Sequence, residues 1–119
     1  MSDLVGTCPM WFWEEWLAEG DCAGESNTGR EYEWQTKHSL INQIEPEDRF
    51  YVVAHGKLRG YAIVTCVGVS FNDPDYDAIT REGGAIACTI NEAIKGFRGL
   101  RKVWWGRSQE HLFSDWMRR

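Results

Sequence analysis

The sequence predicts a mainly β domain of the α+β kind, a small and strongly bent sheet closing toward a barrel, with short helices near the two ends. Two runs rich in Val, Ile, Tyr and Phe within residues 49–69 are separated by His55-Gly56-Lys57, a pattern that reads as a β-hairpin. Shorter runs, EYEWQT at 31–36, GGAIACTI at 83–90 and LRKVWW at 100–105, recur between stretches rich in Gly, Asp, Ser and Asn, as half-buried strands do between turns. Helical patterns are confined to stretches near the termini. Five to six strands in 119 residues make one core and one domain over 1–119.

The elements follow in order. Residues 1–7 lack periodicity and are expected to be loose. PMWFWEEWLAEGD then predicts a short helix: Pro9 suits the first turn, Trp13, Trp16 and Leu17 share a face, and Gly20 can end it. Its acidic face, Glu14, Glu15 and Glu19, leaves the Trp stripe to dock on the domain or to meet a partner. Residues 20–30 form a loop. In EYEWQT, Tyr32 and Trp34 share one face and Glu31, Glu33 and Gln35 the other. A connection with the apolar patch Leu40, Ile41 and Ile44 leads to the hairpin, where Gly56 can supply the positive φ of a tight turn and Gly60 marks a bulge or a close backbone approach. SFNDPDYDAITRE at 70–82 reads as an acidic surface loop. Ile86, Cys88 and Ile90 share a face of the next strand. In the last strand the alternation places Leu100 and Trp104 inward and Arg101, Val103 and Trp105 outward. Ser108 then caps a terminal helical turn that points Leu112, Phe113 and Trp116 inward.

Charge is divided along the chain. Residues 1–48 hold eleven acids against Arg30 and Lys37, whereas residues 49–119 hold seven acids against eleven bases, for a net charge of −5. An acidic chain lacks the general positive field that steers proteins to nucleic acid, but the second half can still build a local basic face. Cys8, Cys22, Cys66 and Cys88 form no C-x-x-C pair, and His38, His55 and His111 fall in no ligand spacing. Reduced thiols without metal or cofactor are therefore expected. No apolar run approaches a membrane span and no leader is read, so the expected location is the cytoplasm. No signature joins a nucleophile to a base and an orienting group, and no phosphate-cradling glycine loop occurs. No catalytic residue is assigned, and His38 and His55 read as hydrogen-bonded turn histidines.

The segment GFRGLRKVWWGRS at 96–108 carries four cations, no acid and two adjacent tryptophans. Indole rings stack on unpaired bases while Arg and Lys answer phosphates. The candidate nucleic-acid-binding residues are Lys57, Arg59 and Tyr61 on the hairpin, with Arg98, Arg101, Trp105 and Arg107 on the last strand. An alternative is internal neutralisation, in which Arg98, Arg101 and Lys102 pair with Glu14, Glu15, Glu19, Glu31 and Glu33.

The turn IEPEDR, the strand FYVVAH, a glycine turn, the strand GYAIVTCV and the late GFRGLRKVWW together resemble the PUA-like domains, their ASCH branch most closely, over roughly residues 31–116. The resemblance implies a pseudo-barrel whose cleft receives RNA or a nucleobase, and a small nucleic-acid-associated binding module that recognises single-stranded RNA or a modified base or nucleotide. Some ASCH-like members are ribonucleases or small amidohydrolases acting on acylated cytidine, so a hydrolase is the second reading and a protein-interaction domain with exposed tryptophans the third. The amidohydrolase K-x-x-T is absent; Thr36 and Lys37 are adjacent instead. The family's Pro-Gly-Asp turn is here Pro46-Glu47-Asp48, so the loop is expected to take a geometry that an ordinary residue tolerates.

Overall fold

The computed structural model describes residues 2–14, 31–83 and 86–115. These form eight strands: β1 (Leu4–Thr7), β2 (Glu31–Thr36), β3 (Arg49–Ala54), β4 (Lys57–Val69), β5 (Asp77–Glu82), β6 (Ile86–Thr89), β7 (Leu100–Lys102) and β8 (His111–Leu112). The sheet order is β2-β5-β4-β3-β1-β7, with β6 on β4 and β8 on β6. The path ends at β2 and β7 and is not closed into a barrel, so the mainly β expectation holds while ring closure does not occur.

The hairpin lies at the centre of the sheet, as its long β-branched and aromatic runs require. Ala54 pairs with Lys57 across His55 and Gly56, which both have positive φ (52° and 78°), the geometry whose twist matches the flanking strands. The register shifts between Val52 and Val53, opposite Gly60 and Leu58, which leaves Arg59 as the extra residue of a bulge. Gly60 also marks a close approach: a Cβ there would lie 2.5 Å from the Ile86 carbonyl oxygen. Along its other edge β4 pairs first with β6, through Gly60 and Tyr61, and then with β5, from Val64 to Val69. The long β4 thus carries two neighbours in succession, and the sheet bends along it.

Residues 4–7 are not loose. They pair in parallel with β3, from Leu4–Phe50 to Thr7–Val53, and in antiparallel with β7, and Leu4 and Val5 are fully buried. A four-residue strand offers too few positions for a period to show, and its partners are far away in sequence. The acidic loop is also shorter than expected. Only its first part is a loop, because DAITRE forms β5, with Ala78, Ile79, Thr80 and Arg81 buried between β2 and β4.

The helices expected at the ends are short turns where they are described. Met10–Phe12 is a 3-10 turn that leads to the buried Trp13; Trp16, Leu17 and Gly20 lie outside the described residues. Arg107–Gln109 is a second 3-10 turn, closed by the Gln109 side chain accepting the Gly106 N–H at 2.8 Å rather than by Ser108. Leu112 is exposed on β8, Phe113 is half-buried against the core, and Trp116 is outside the described residues.

Two apolar clusters flank the sheet. One contains Leu4, Phe50, Val52, Val64, Ile79 and Leu100, joined by Ile41 and Ile44 from the connection before β3. The other, on the opposite face of the hairpin, contains Val5, Tyr51, Val53, Tyr61, Cys88, Ile90, Ile94 and Trp105, with Ile86 packed against it. The alternation of Ile86, Cys88 and Ile90 against Ala87 therefore follows the sequence pattern.

Candidate nucleic-acid interface

The strand expected at 100–105 is β7, and it ends at Lys102, before the two tryptophans. Alternation no longer governs where the rings point, and the outcome reverses the expected one: Trp105 is inside at 7% exposure and Trp104 outside at 45%. Trp105 packs edge-on against Tyr51 at 5.3 Å and donates its indole N–H to Glu110 at 2.9 Å. Trp104 stands perpendicular to Trp105, with its N–H 3.3 Å from the Glu92 carboxylate.

Arg98, Arg101, Lys102 and Arg107 are exposed around Trp104 in the chain. Register places Arg101 beside Val5 and Lys102 beside Leu4, and the Arg107 guanidinium binds Asp3 at 2.9 Å. The three cations therefore gather along the start of β1. Because neighbours on a strand face opposite ways, Arg101 and Lys102 flank the open edge of the sheet from its two sides. The Arg101 guanidinium lies 4.2 Å from the Phe97 ring centroid. Among the described residues no ion pair is formed by Arg98 or Lys102.

The hairpin candidates are placed differently. Lys57 is exposed at the turn, its ammonium 5.7 Å from the Phe113 ring. Arg59, the bulge residue, is 2% exposed; its Nε–H donates to the Ala54 carbonyl at 2.8 Å and its guanidinium lies over Trp13 and Phe113. Tyr61 is buried beneath the Arg49 guanidinium, 4.1 Å from its ring centroid, and against Tyr51. Arg101 and Arg107 thus both lie near the start of β1, whereas Arg59, Tyr61 and Trp105 serve packing. Internal neutralisation by Glu31 and Glu33 is not found either, since those carboxylates accept from Thr65 and from the loop at 70–72.

Behind this surface lies a polar cluster that sequence patterns do not reveal. Glu110 accepts from the Tyr51 hydroxyl, from Trp105 and from Arg49 at 3.1 Å, and Arg49 also donates to Tyr51. Burial, reinforced by the hydrogen bond to Glu110, pushes the Tyr51 hydroxyl well above the ordinary tyrosine value. Burial likewise pushes the Cys88 thiol up to about 12, with Glu110 adding to it, so this cysteine is not a thiolate nucleophile at neutral pH. The cluster fastens the segment that carries Trp104 and Arg107 to the central hairpin. A cleft of about 370 Å³ beside it is bordered by Arg49, Tyr61, Cys88, Arg107 and His111. His38 accepts the Leu40 N–H through Nδ1 and packs against Gly99, the hydrogen-bonded turn role expected of it.

Among the described residues no helix is long and apolar enough to cross a membrane. The chain matches no family model, and no curated protein or solved structure matches it.

Proposed function

We propose that the chain is a small nucleic-acid-associated binding module of the PUA-like, ASCH-type kind, its sheet bent without closing, that takes single-stranded RNA or an unpaired, modified base along the open β7 edge. The observation that supports this best is Trp104, a large ring left 45% exposed in the segment that carries Arg98, Arg101, Lys102 and Arg107. A ring of this kind stacks on a base of any identity, and the cations answer the flanking phosphates. A binding role needs no catalytic set, and the protein acts where its nucleic acid is, in the cytoplasm.

Titration of labelled single-stranded RNA, single-stranded DNA and duplex at two salt concentrations tests the reading. The expected result is preferential binding of single strands, with log affinity falling by about 0.7 per phosphate contact for each tenfold rise in salt, accompanied by quenching of tryptophan emission. Absence of salt-dependent binding to all three would overturn it.

A further inference from the structure

The exposed tryptophan of the basic segment has an acid at its edge. The Trp104 indole N–H lies 3.3 Å from each of the two Glu92 carboxylate oxygens, so one donor is shared between two acceptors, at a distance longer than a well-formed N–H···O bond. Glu92 is exposed, and among the described residues it forms no ion pair and no other hydrogen bond. A carboxylate has sites for about four donors, so most of the accepting capacity of Glu92 is left to solvent or to a ligand. Phosphate binding does not account for this acid, because a negative charge beside Trp104 opposes the field of Arg98, Arg101, Lys102 and Arg107.

Both groups are held in place by their surroundings. Glu92 sits between Ile90 and Ile94, which are buried in the second apolar cluster, and the Ile94 N–H donates to the Gly56 carbonyl at 2.9 Å. Further along the same loop the Phe97 N–H donates to the Thr7 hydroxyl at 3.1 Å. Trp104 packs on Trp105, with ring centroids 4.9 Å apart and planes at 87°, and Trp105 is fixed in turn by Tyr51 and Glu110. The core therefore sets the separation between an exposed ring and the carboxylate at its N–H edge.

A base laid on the Trp104 ring with one edge toward Nε1 brings that edge to the carboxylate. Unpaired bases are read on such edges, and the four differ in what they offer to a group that only accepts. Guanine presents two adjacent donors, N1–H and the 2-amino group, which match the two carboxylate oxygens as a bidentate pair. Adenine and cytosine each present an amino group beside a ring-nitrogen acceptor, and uracil flanks its N3–H with two carbonyls. Each of these sets a lone pair against the carboxylate. We infer that Glu92 is a specificity-determining residue that makes the Trp104 site select guanine, an inference that rests on the reading of this segment as a surface for single strands. The ring supplies stacking common to all bases, the cations answer the phosphates, and Glu92 distinguishes the base.

The test is a fluorescence-anisotropy titration of labelled oligouridines that carry one central guanine, inosine, adenine or cytosine, with wild type, Glu92→Gln and Glu92→Ala. Guanine is expected to bind at least about fivefold more tightly than adenine, the least that a good bidentate base contact supplies, and inosine, which lacks the 2-amino group, to fall between them. Adenine controls for the larger stacking area of a purine. Glu92→Gln keeps an acceptor for the Trp104 N–H but turns the other oxygen into a donor, so guanine should lose its advantage while the remaining oligomers bind at least as well as before. Both variants should melt as the wild type does, since Glu92 is exposed. If Glu92 serves only to hold the indole, Glu92→Gln binds every oligomer as the wild type does and Glu92→Ala weakens all of them alike; that result overturns the inference and leaves the single-strand reading standing. Equal affinity of the wild type for guanine and adenine does the same. Binding of none of the oligomers, at low salt as at high, would overturn both.

Discussion

Glu47 adopts φ = 79°, the conformation in which glycine is at ease and other residues are strained. The turn from Glu45 to Asp48 is closed by the Asp48 N–H on the Glu45 carbonyl and by the buried Asp48 carboxylate on the Glu45 N–H, so Glu47 occupies the glycine position of a type II turn. The loop has not changed its geometry to suit glutamate, contrary to the expectation from its sequence; the surrounding hydrogen bonds impose the strain. Glu47→Gly is expected to stabilise the protein by about 0.5–1 kcal/mol, the relief of strain less the added freedom of the unfolded chain, and a thermal melt reads this as a rise of a few degrees. Tyr51 supplies a second test at this scale. Its hydroxyl keeps its proton to a higher pH in the folded state than in the unfolded chain, so the associated stability is intact below about pH 10, where an unfolded tyrosine titrates, and is lost as pH rises above it. Denaturant melts should show wild type losing stability faster than Tyr51→Phe above about pH 10, and parallel losses would contradict the buried Tyr51–Glu110 contact. Neither Glu110 nor its role was legible in the sequence, because its partners Arg49 and Tyr51 lie 61 and 59 residues away and no spacing joins them.

Among the elements, the hairpin was legible because everything that specifies it is local: two apolar runs, a two-residue turn and a glycine at the bulge. β2 was equally legible from the alternation of Tyr32 and Trp34. β1 was not, since its identity as a strand depends on partners in β3 and β7 rather than on its own four residues, and β5 was obscured by the acids that precede it. β7 was legible in its existence but not in its length; ending at Lys102 instead of Trp105, it exchanged the roles of the two tryptophans. Gly60 tests the junction of β4 with β6. A methyl group there would meet backbone at 2.5 Å, which no rotamer change relieves, so Gly60→Ala should cost at least about 1–3 kcal/mol by forcing the strands apart. An unchanged midpoint of urea unfolding would show that β6 does not approach as described.

For the molecule as a whole, the division of charge seen in the sequence becomes a division of surfaces. The acidic half contributes Glu31 and Glu33 of β2, which hold Thr65 and the loop at 70–72, and the basic half contributes the cations at the open edge of β7. An edge strand flanked by Arg101 and Lys102 also resists pairing with other chains, so positive charge there has a structural use even without a ligand, and Arg101 must be tested for binding as well as for stability. The decisive measurement is the affinity of wild type, Arg101→Ala and Trp104→Ala for a labelled single-stranded RNA across a salt series, with the melting temperature of each recorded. Arg101→Ala should weaken binding to all sequences alike and reduce the salt slope by about 0.7, whereas Trp104→Ala should cost roughly 1–3 kcal/mol with the slope nearly unchanged, both variants melting near the wild type. RNA affinity and salt slope unchanged in both would contradict a nucleic-acid surface at β7.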